Sequence, residues 1–385
     1  MARFYKKQNM KAYLYIIIVF LFTSSCSNNP KEDIKTPQTS NTTLDIKYAK
    51  WFKINYHTDY KEITVINPWT KAIYWKYQIY KNKVKSNTKN NVSILSLPQK
   101  TAVLSSTQIG MFHRLSILNR INAIANLNYV YNPSIRKAVI NGAIDELGDG
   151  ASLNVEKTYS SRVDIVFSTA WDKIDPKFIK LIKLNIPIAF VMDWQEESPL
   201  ARAEWIKFVA AFFDMEKQAC QIFDKIEKRY LTLKKISQEA KNKPTVLHGT
   251  FMSGVWYIAG GRSFVAQFYA DANANYLWKE DSTTGSLPLS FETVFEKAQN
   301  ANYWINSSSY SKTSDFFTED QRYQLFRFFK EKTIYTNGAS LQAKTPSPFW
   351  EEGSVNPDQV LKDIIAILHP NLLPKHRLRY YRKIK

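Results

Sequence analysis

Apolar residues first gather in an unbroken run, Tyr13 to Phe22, behind the basic residues Arg3, Lys6, Lys7 and Lys11. Residues 27–43 then hold two prolines and almost nothing to bury, the pattern of a disordered tether. Beyond it, Glu62 to Ile66 and Ala72 to Tyr80 are strand-like, the second alternating through Ile73, Tyr74, Trp75, Lys76 and Tyr77, which predicts a β-hairpin or meander. The rhythm next becomes strand, helix, strand, helix. Ala102–Leu104 and Ile121–Ala125 read as short strands, and Thr107–Leu118 and Pro133–Asn141 as helices. Asp164–Phe167 and Ile186–Met192 are continuous apolar runs flanking a helix, Pro176–Leu184. Strands apolar on both faces between helices predict a mostly parallel sheet covered by helices.

Pro199 to Ala240 is helical, with a break expected at Phe213-Asp214-Met215. In its second half Ala219, Ile222, Phe223, Ile226, Tyr230 and Leu233 recur every three or four residues and form one apolar stripe. A second alternating region follows, with strands at Thr245–Phe251, Val255–Ile258, Tyr303–Asn306 and Ile334–Thr336. Its helices are expected at Phe264–Ala272, Thr293–Ala301, Glu319–Glu331 and Pro357–Leu368. The fold class is therefore α/β, two α/β lobes joined by one long rigid helix. The expected boundaries are 1–25 for a signal peptide, 26–43 for a tether, 44–198 for the first lobe, 199–243 for the linking helices and 244–385 for the second lobe.

Length and charge fit that division. Without a leader of 25 residues the chain keeps 360, more than one core usually serves. The apolar run near the start has 10 residues, against about 20 for a membrane-spanning helix, so it reads as a cleaved secretory signal. The segment Thr23-Ser24-Ser25-Cys26 after it resembles a bacterial lipobox, with Thr23 where leucine is usual. That resemblance implies lipidation of Cys26 and a membrane-anchored periplasmic protein, on the inner or the outer membrane. The other cysteine, Cys220, lies in a helical stretch, so no disulfide framework is expected. The net charge of +19 falls to +15 once the leader is gone, which favours acidic ligands or anionic lipid. Export argues against nucleic acid as a partner.

Several segments together carry a more specific likeness. Asn154-Val155-Glu156-Lys157 precedes Ser161-Arg162-Val163-Asp164-Ile165-Val166, a glutamate on a helix followed by a step into a strand, with Val163 where proline is usual. Leu289-Ser290-Phe291-Glu292-Thr293-Val294 followed by Ala301 to Ile305 repeats the constellation. With Pro199–Phe208, Gly254–Ser263 and Val355–Tyr381, these segments resemble the solute-binding component of iron-complex (siderophore) and cobalamin ABC importers, notably its bacteroidete lipoprotein branch. The likeness covers roughly residues 95–385. It implies a class III periplasmic binding protein, a monomer that captures a metal chelate and hands it to an ABC permease and its ATPase. Glu156 and Glu292 would then dock on permease arginines, one from each lobe.

In such a protein the ligand lies between the lobes, where loops at the carboxyl ends of the strands converge. Lobe one offers Ser105, Ser106, Thr107, Tyr129, Tyr131, Trp171, Asp172, Trp194 and Gln195; lobe two offers Trp256, Tyr257, Gly260, Gly261, Arg262 and Ser263. Aromatic faces suit a planar or apolar organic ligand, and Arg262 suits an anionic group. The expected ligand is a ferric siderophore or similar iron complex, with a corrinoid as the alternative; no resident cofactor or metal is expected.

Enzyme readings have less to stand on. His57, His113, His248, His369 and His376 show no metal-binding spacing, and no GxSxG appears. The stretch Asp145 to Gly150 lacks the closing glutamate of a calcium loop. An exported cleft enzyme would have to use Asp172, Asp193 and Glu196 as its acids.

Overall fold

The computed structural model describes residues 42–80, 92–94, 97–148, 152–306, 310, 312–338 and 346–385. The expected signal peptide, Cys26 and nearly all of the tether lie outside them.

Three sheets organise the chain. The first is the meander β1 (Thr42–Thr43), β2 (Phe52–Tyr56), β3 (Tyr60–Ile66) and β4 (Ile73–Tyr80), antiparallel in sequence order, with β5 (Val92–Ile94) added in parallel to β4. The second contains β6 (Thr101–Val103), β7 (Ile121–Ile124), β8 (Asp145–Glu146), β9 (Ile165–Thr169) and β10 (Ile188–Val191). It is wholly parallel, in the order β10-β9-β6-β7-β8. Its crossover helices are α1 (Ser106–Arg114), α2 (Pro133–Ile140), α3 (Val155–Ser160) and α4 (Pro176–Lys183). Strands β9 and β10 read as continuous apolar runs because they are buried on both faces.

The meander covers the open edge of that parallel sheet. The Tyr77 hydroxyl donates to the Ile188 carbonyl and accepts from the Phe190 N–H, both at 2.8 Å, so a side chain satisfies the exposed ladder of β10. Two buried carboxylates then fix the approach to the meander. Glu204 accepts the backbone N–H groups of Lys47, Tyr48 and Ala49, and Glu196 those of Lys50 and Trp51.

The link comprises α5 (Pro199–Glu204), α6 (Ile206–Ala211) and α7 (Glu216–Ser237). The expected break falls at Asp214, which takes φ +56°. Helix α7 has 22 residues, about 33 Å at the usual rise of about 1.5 Å. It buries Ala219, Phe223, Ile226, Tyr230 and Leu233, as the stripe predicts.

The last region is β11 (Thr245–Met252), β12 (Val255–Ala259), α8 (Phe264–Asp271), β13 (Asn275–Tyr276), β14 (Ser286–Leu289), α9 (Phe291–Ala298) and β15 (Tyr303–Asn306). It ends with α10 (Arg327–Lys330), β16 (Ile334–Thr336), α11 (Pro348–Glu352), α12 (Pro357–Leu368) and β17 (Arg382–Lys383). Its seven-stranded sheet is mixed, in the order β14-β12-β11-β15-β16-β17 with β13 beside β11. One expectation is corrected. The segment 319–331 is not a single helix but a 3-10 turn at Gln321–Leu325 followed by the short α10. Asp320 caps the turn at Arg322, and Phe326 is extended (φ −74°, ψ 143°), which buries Tyr323, Phe326, Phe328 and Phe329 in one aromatic core. The lobes also touch directly. A Cβ on Gly110 of α1 would lie 1.8 Å from the Glu351 carbonyl oxygen of α11, so only glycine permits that packing.

Candidate functional site

The carboxyl ends of β6, β7, β9 and β10 emerge on one edge of the parallel sheet, and most of the expected binding residues lie in the loops that follow them. After β6, Ser105 and Thr107 pair their hydroxyls at 2.9 Å. Ser105, Ser106 and Tyr129 line a hollow of about 190 Å³, and Tyr129 is 57% exposed. Tyr131 is half-buried, and its N–H donates to Glu351 at 2.7 Å beside that of Asn132. It thus marks a contact between the lobes.

After β9 and β10, three indoles gather. Trp171 lies 4.6 Å from Trp194 between ring centroids, and Trp194 lies 5.9 Å from Trp69, which the turn between β3 and β4 supplies. Trp194 is oriented by donating its Nε1–H to the Ala170 carbonyl at 3.1 Å. These rings, with Asp172 and Lys173, form one wall of an open space of about 760 Å³. The other wall comes from the second lobe, residues Ser282, Thr283, Thr284 and Gly285. The two sides are stitched by Thr284 Oγ1 donating to Gln195 Oε1 at 2.9 Å and by Arg262 Nη2 donating to Glu197 Oε1 at 2.5 Å. Glu197 also holds Lys50 at 3.0 Å; partial burial pushes its carboxyl up, but the two cations bring it below its ordinary range.

Other expected residues stand elsewhere. Trp256 is a correction: it is fully buried, 5.2 Å from Trp304 and 5.6 Å from Phe251, in the aromatic core of the second lobe. Adjacent residues on a strand point to opposite faces, so Trp256 turns inward and Tyr257, 41% exposed, turns outward. At Gly260 and Gly261 a Cβ would strike Thr283 at 2.3 Å and the carbonyls of Trp278 and Asp281 at 2.4 Å, so packing within the lobe requires glycine at both positions. Ser263 is buried as the N-cap of α8, accepting from the Ala266 N–H.

Two of the three acids an enzyme would need are committed to structure. Asp193 is buried against Arg202 at 2.8 Å, and Glu196 is buried against Lys50, Trp51 and Trp205. Burial pushes the Glu196 carboxyl up to about 7, against the hydrogen bonds that favour its charge. Only Asp172 of the three lines the open space; it is exposed and accepts from Asn67 at 3.2 Å. His248, His369 and His376 bond to Tyr269, Ala272 and Asp363. Burial takes the His248 imidazole down to about 4. Among the described residues no His, Cys, Asp and Glu side chains group to hold a metal ion.

Glu156 and Glu292 occupy matching places in the first turns of α3 and α9, behind the caps Asn154 and Ser290, and both are exposed. They differ in partners. Glu292 binds Arg322 at 2.7 Å, and Arg322 also holds Asp320.

Sequence reasoning missed Trp69, Glu197, Thr284 and Glu351. An Asn-Pro-Trp-Thr-Lys turn signal is visible at residues 67–71, but nothing local tells that this turn lands beside loops some hundred residues later.

Residues 102–341 match the model of a family described as periplasmic binding protein. An uncharacterized lipoprotein of Methanocaldococcus jannaschii is 26% identical over 372 residues, covering 89% of this chain and 86% of that protein. Among solved structures, the periplasmic heme-binding protein RhuT of Roseiflexus sp. RS-1 is similar with a TM-score of 0.58 and 15% identity, over 71% of this chain and 99% of that one. A possible iron-binding (periplasmic solute-binding) protein of Staphylococcus epidermidis ATCC 12228 gives a TM-score of 0.55 at 18% identity, over 71% and 100%.

Proposed function

The chain belongs to the periplasmic binding protein family, whose members bind rather than transform, and from that premise we propose that it is the lipid-anchored receptor of an ABC importer for a chelated iron complex. The single observation that carries the reading is the space of about 760 Å³ walled by tryptophans of one lobe and by the 282–285 loop of the other. A concave site with three indoles on one wall and polar side chains on the other suits a drug-sized organic complex that carries both ring surface and hydrogen-bonding groups. The likeness to a heme-binding and a possible iron-binding protein supports an iron-bearing ligand, and the likeness to a lipoprotein of Methanocaldococcus jannaschii supports a lipid anchor. Cys26 is the proposed lipidation site, residues 26–43 the tether, and Glu156 and Glu292 the docking carboxylates for the permease that works with an ATPase. The lobe boundaries proposed are 44–198 and 244–385, with residues 199–243 as the link. The chain is proposed to act as a monomer in the periplasm, anchored by its lipid to the inner or the outer membrane.

Native mass spectrometry of the chain taken from its own cell envelope, with metal analysis of the same sample, tests this. One bound organic complex per chain carrying about one iron is the expected result. A cobalt-bearing adduct would instead establish the corrinoid alternative, and turnover of the bound molecule would overturn the receptor.

A further inference from the structure

We infer that Trp69 is a ligand-contacting residue, and that with Trp171 and Trp194 it makes a three-indole cage that selects iron chelates carrying flat aromatic rings. Resting on the receptor function proposed above, this goes beyond it in two respects: the residue lies outside the segment 102–341 that matches the family, and the chemical class of the ligand is named.

The placement of Trp69 is built, not incidental. Asn67 Oδ1 accepts from the Trp69 N–H at 2.8 Å and the Thr70 N–H at 3.1 Å, and Lys71 closes the turn at φ +64°. Asn67 Nδ2 then donates to Asp172 Oδ1 at 3.2 Å, which ties the meander to the loop that carries Trp171. Turn and loop therefore hold three rings in one fixed relation. Trp69 is nevertheless 42% exposed and Trp171 62% exposed, both into the space shared with the second lobe. Large aromatic surface left open on a rigid support around a concavity marks a binding site.

The angles say what the cage takes. The indole planes meet at 51° and 56°, so they present faces and edges in several directions, the arrangement aromatic rings prefer to pack against. Charge narrows the class further. Lys173 is exposed in the lining beside Asp172, and Arg262 and Lys50 meet at Glu197 beside Gln195; these three cations outnumber the two carboxylates by one on a chain of net charge +19, a balance that suits an anionic complex. Aromatic rings and negative charge together describe a catecholate chelate of ferric iron better than an aliphatic hydroxamate chelate.

Equilibrium titration of the purified chain with ferric enterobactin, a tris-catecholate, and with ferrichrome, a tris-hydroxamate, followed by indole fluorescence and calorimetry, tests the cage. The wild type is expected to bind the catecholate at least about tenfold more tightly, and Trp69→Ala to lose about tenfold in that affinity with little change for ferrichrome, the scale of one aromatic contact plus its buried area. Trp69→Phe, which keeps a ring on the turn, should retain the ranking, and Tyr159→Ala, an exposed ring elsewhere, should bind as wild type. Unchanged catecholate affinity in Trp69→Ala, or a wild type that prefers ferrichrome, overturns the cage and leaves the receptor function standing. Equal loss in Trp69→Ala and Trp69→Phe, with a lowered Tm in both, overturns the contact and makes Trp69 a folding residue. Binding of neither chelate overturns the cage as a catecholate site, while the receptor function is decided separately by the native mass spectrometry described above.

Discussion

Trp256 and Tyr257 are neighbours in the chain and could not share a site. The pleat sends Trp256 into a core with Phe251, Trp304, Tyr323 and Phe326, while Tyr257 faces outward. Removing so large a buried ring leaves a cavity, so Trp256→Ala should lower stability by about 3–5 kcal/mol in chemical denaturation. Arg262→Ala breaks an exposed ion pair and should change stability by less than about 1 kcal/mol. A Trp256→Ala chain as stable as wild type, with only its ligand binding impaired, would return Trp256 to the cleft. The same pair explains what residues alone could reveal. Residue type and loop position were enough to put Trp171, Asp172 and Trp194 on the open space shared with the second lobe and Ser105, Ser106 and Tyr129 on another hollow, because they follow parallel strands whose ends must converge. They were not enough for Trp256 or Trp69, since the facing of a short strand and the landing place of a turn are set by partners remote in sequence.

At the scale of elements, the contact between α11 and the loop after β7 is the most informative. Glu351 is buried and accepts the N–H groups of Tyr131 and Asn132 across the lobes. Burial pushes its carboxyl up to about 7, partly opposed by those two donors. The native state therefore holds a proton at Glu351 that the unfolded chain, titrating near 4.5, has already released. Its stabilising contribution is complete below about pH 4.5 and is lost as pH rises through about 7. Glu351→Gln removes that titration while keeping an acceptor. Compared in urea at pH 5 and pH 8, the variant should gain on the wild type by roughly 1–3 kcal/mol at the higher pH. An identical pH dependence in both proteins would contradict the buried latch. Element by element, the alternation of strand and helix was legible wherever apolar periodicity was strong, as along α7. It failed at 319–331, where four aromatic residues follow the demands of a core and not of a helix face.

For the whole molecule, two α/β lobes on a helical link set what kind of motion and recognition is open to it. The lobes are stitched at Arg262–Glu197, Thr284–Gln195 and Glu351–Tyr131, and α7 is a continuous helix of 22 residues, so large hinge motion is resisted. Under the proposed docking role, recognition by an importer relies on fixed surface charge, and the two exposed carboxylates at matching helix starts are the groups proposed to supply it. They are not equivalent, because Glu292 is paired with Arg322, which a permease arginine would have to displace in the proposed docking. Uptake of 55Fe supplied as the chelate identified from the native protein, in cells whose only receptor is Glu156→Arg/Glu292→Arg, is the measurement that tests capture and delivery together. Equilibrium binding by the variant at the wild-type affinity with uptake reduced to the receptor-free background is the predicted result. Wild-type uptake by that double variant would contradict it.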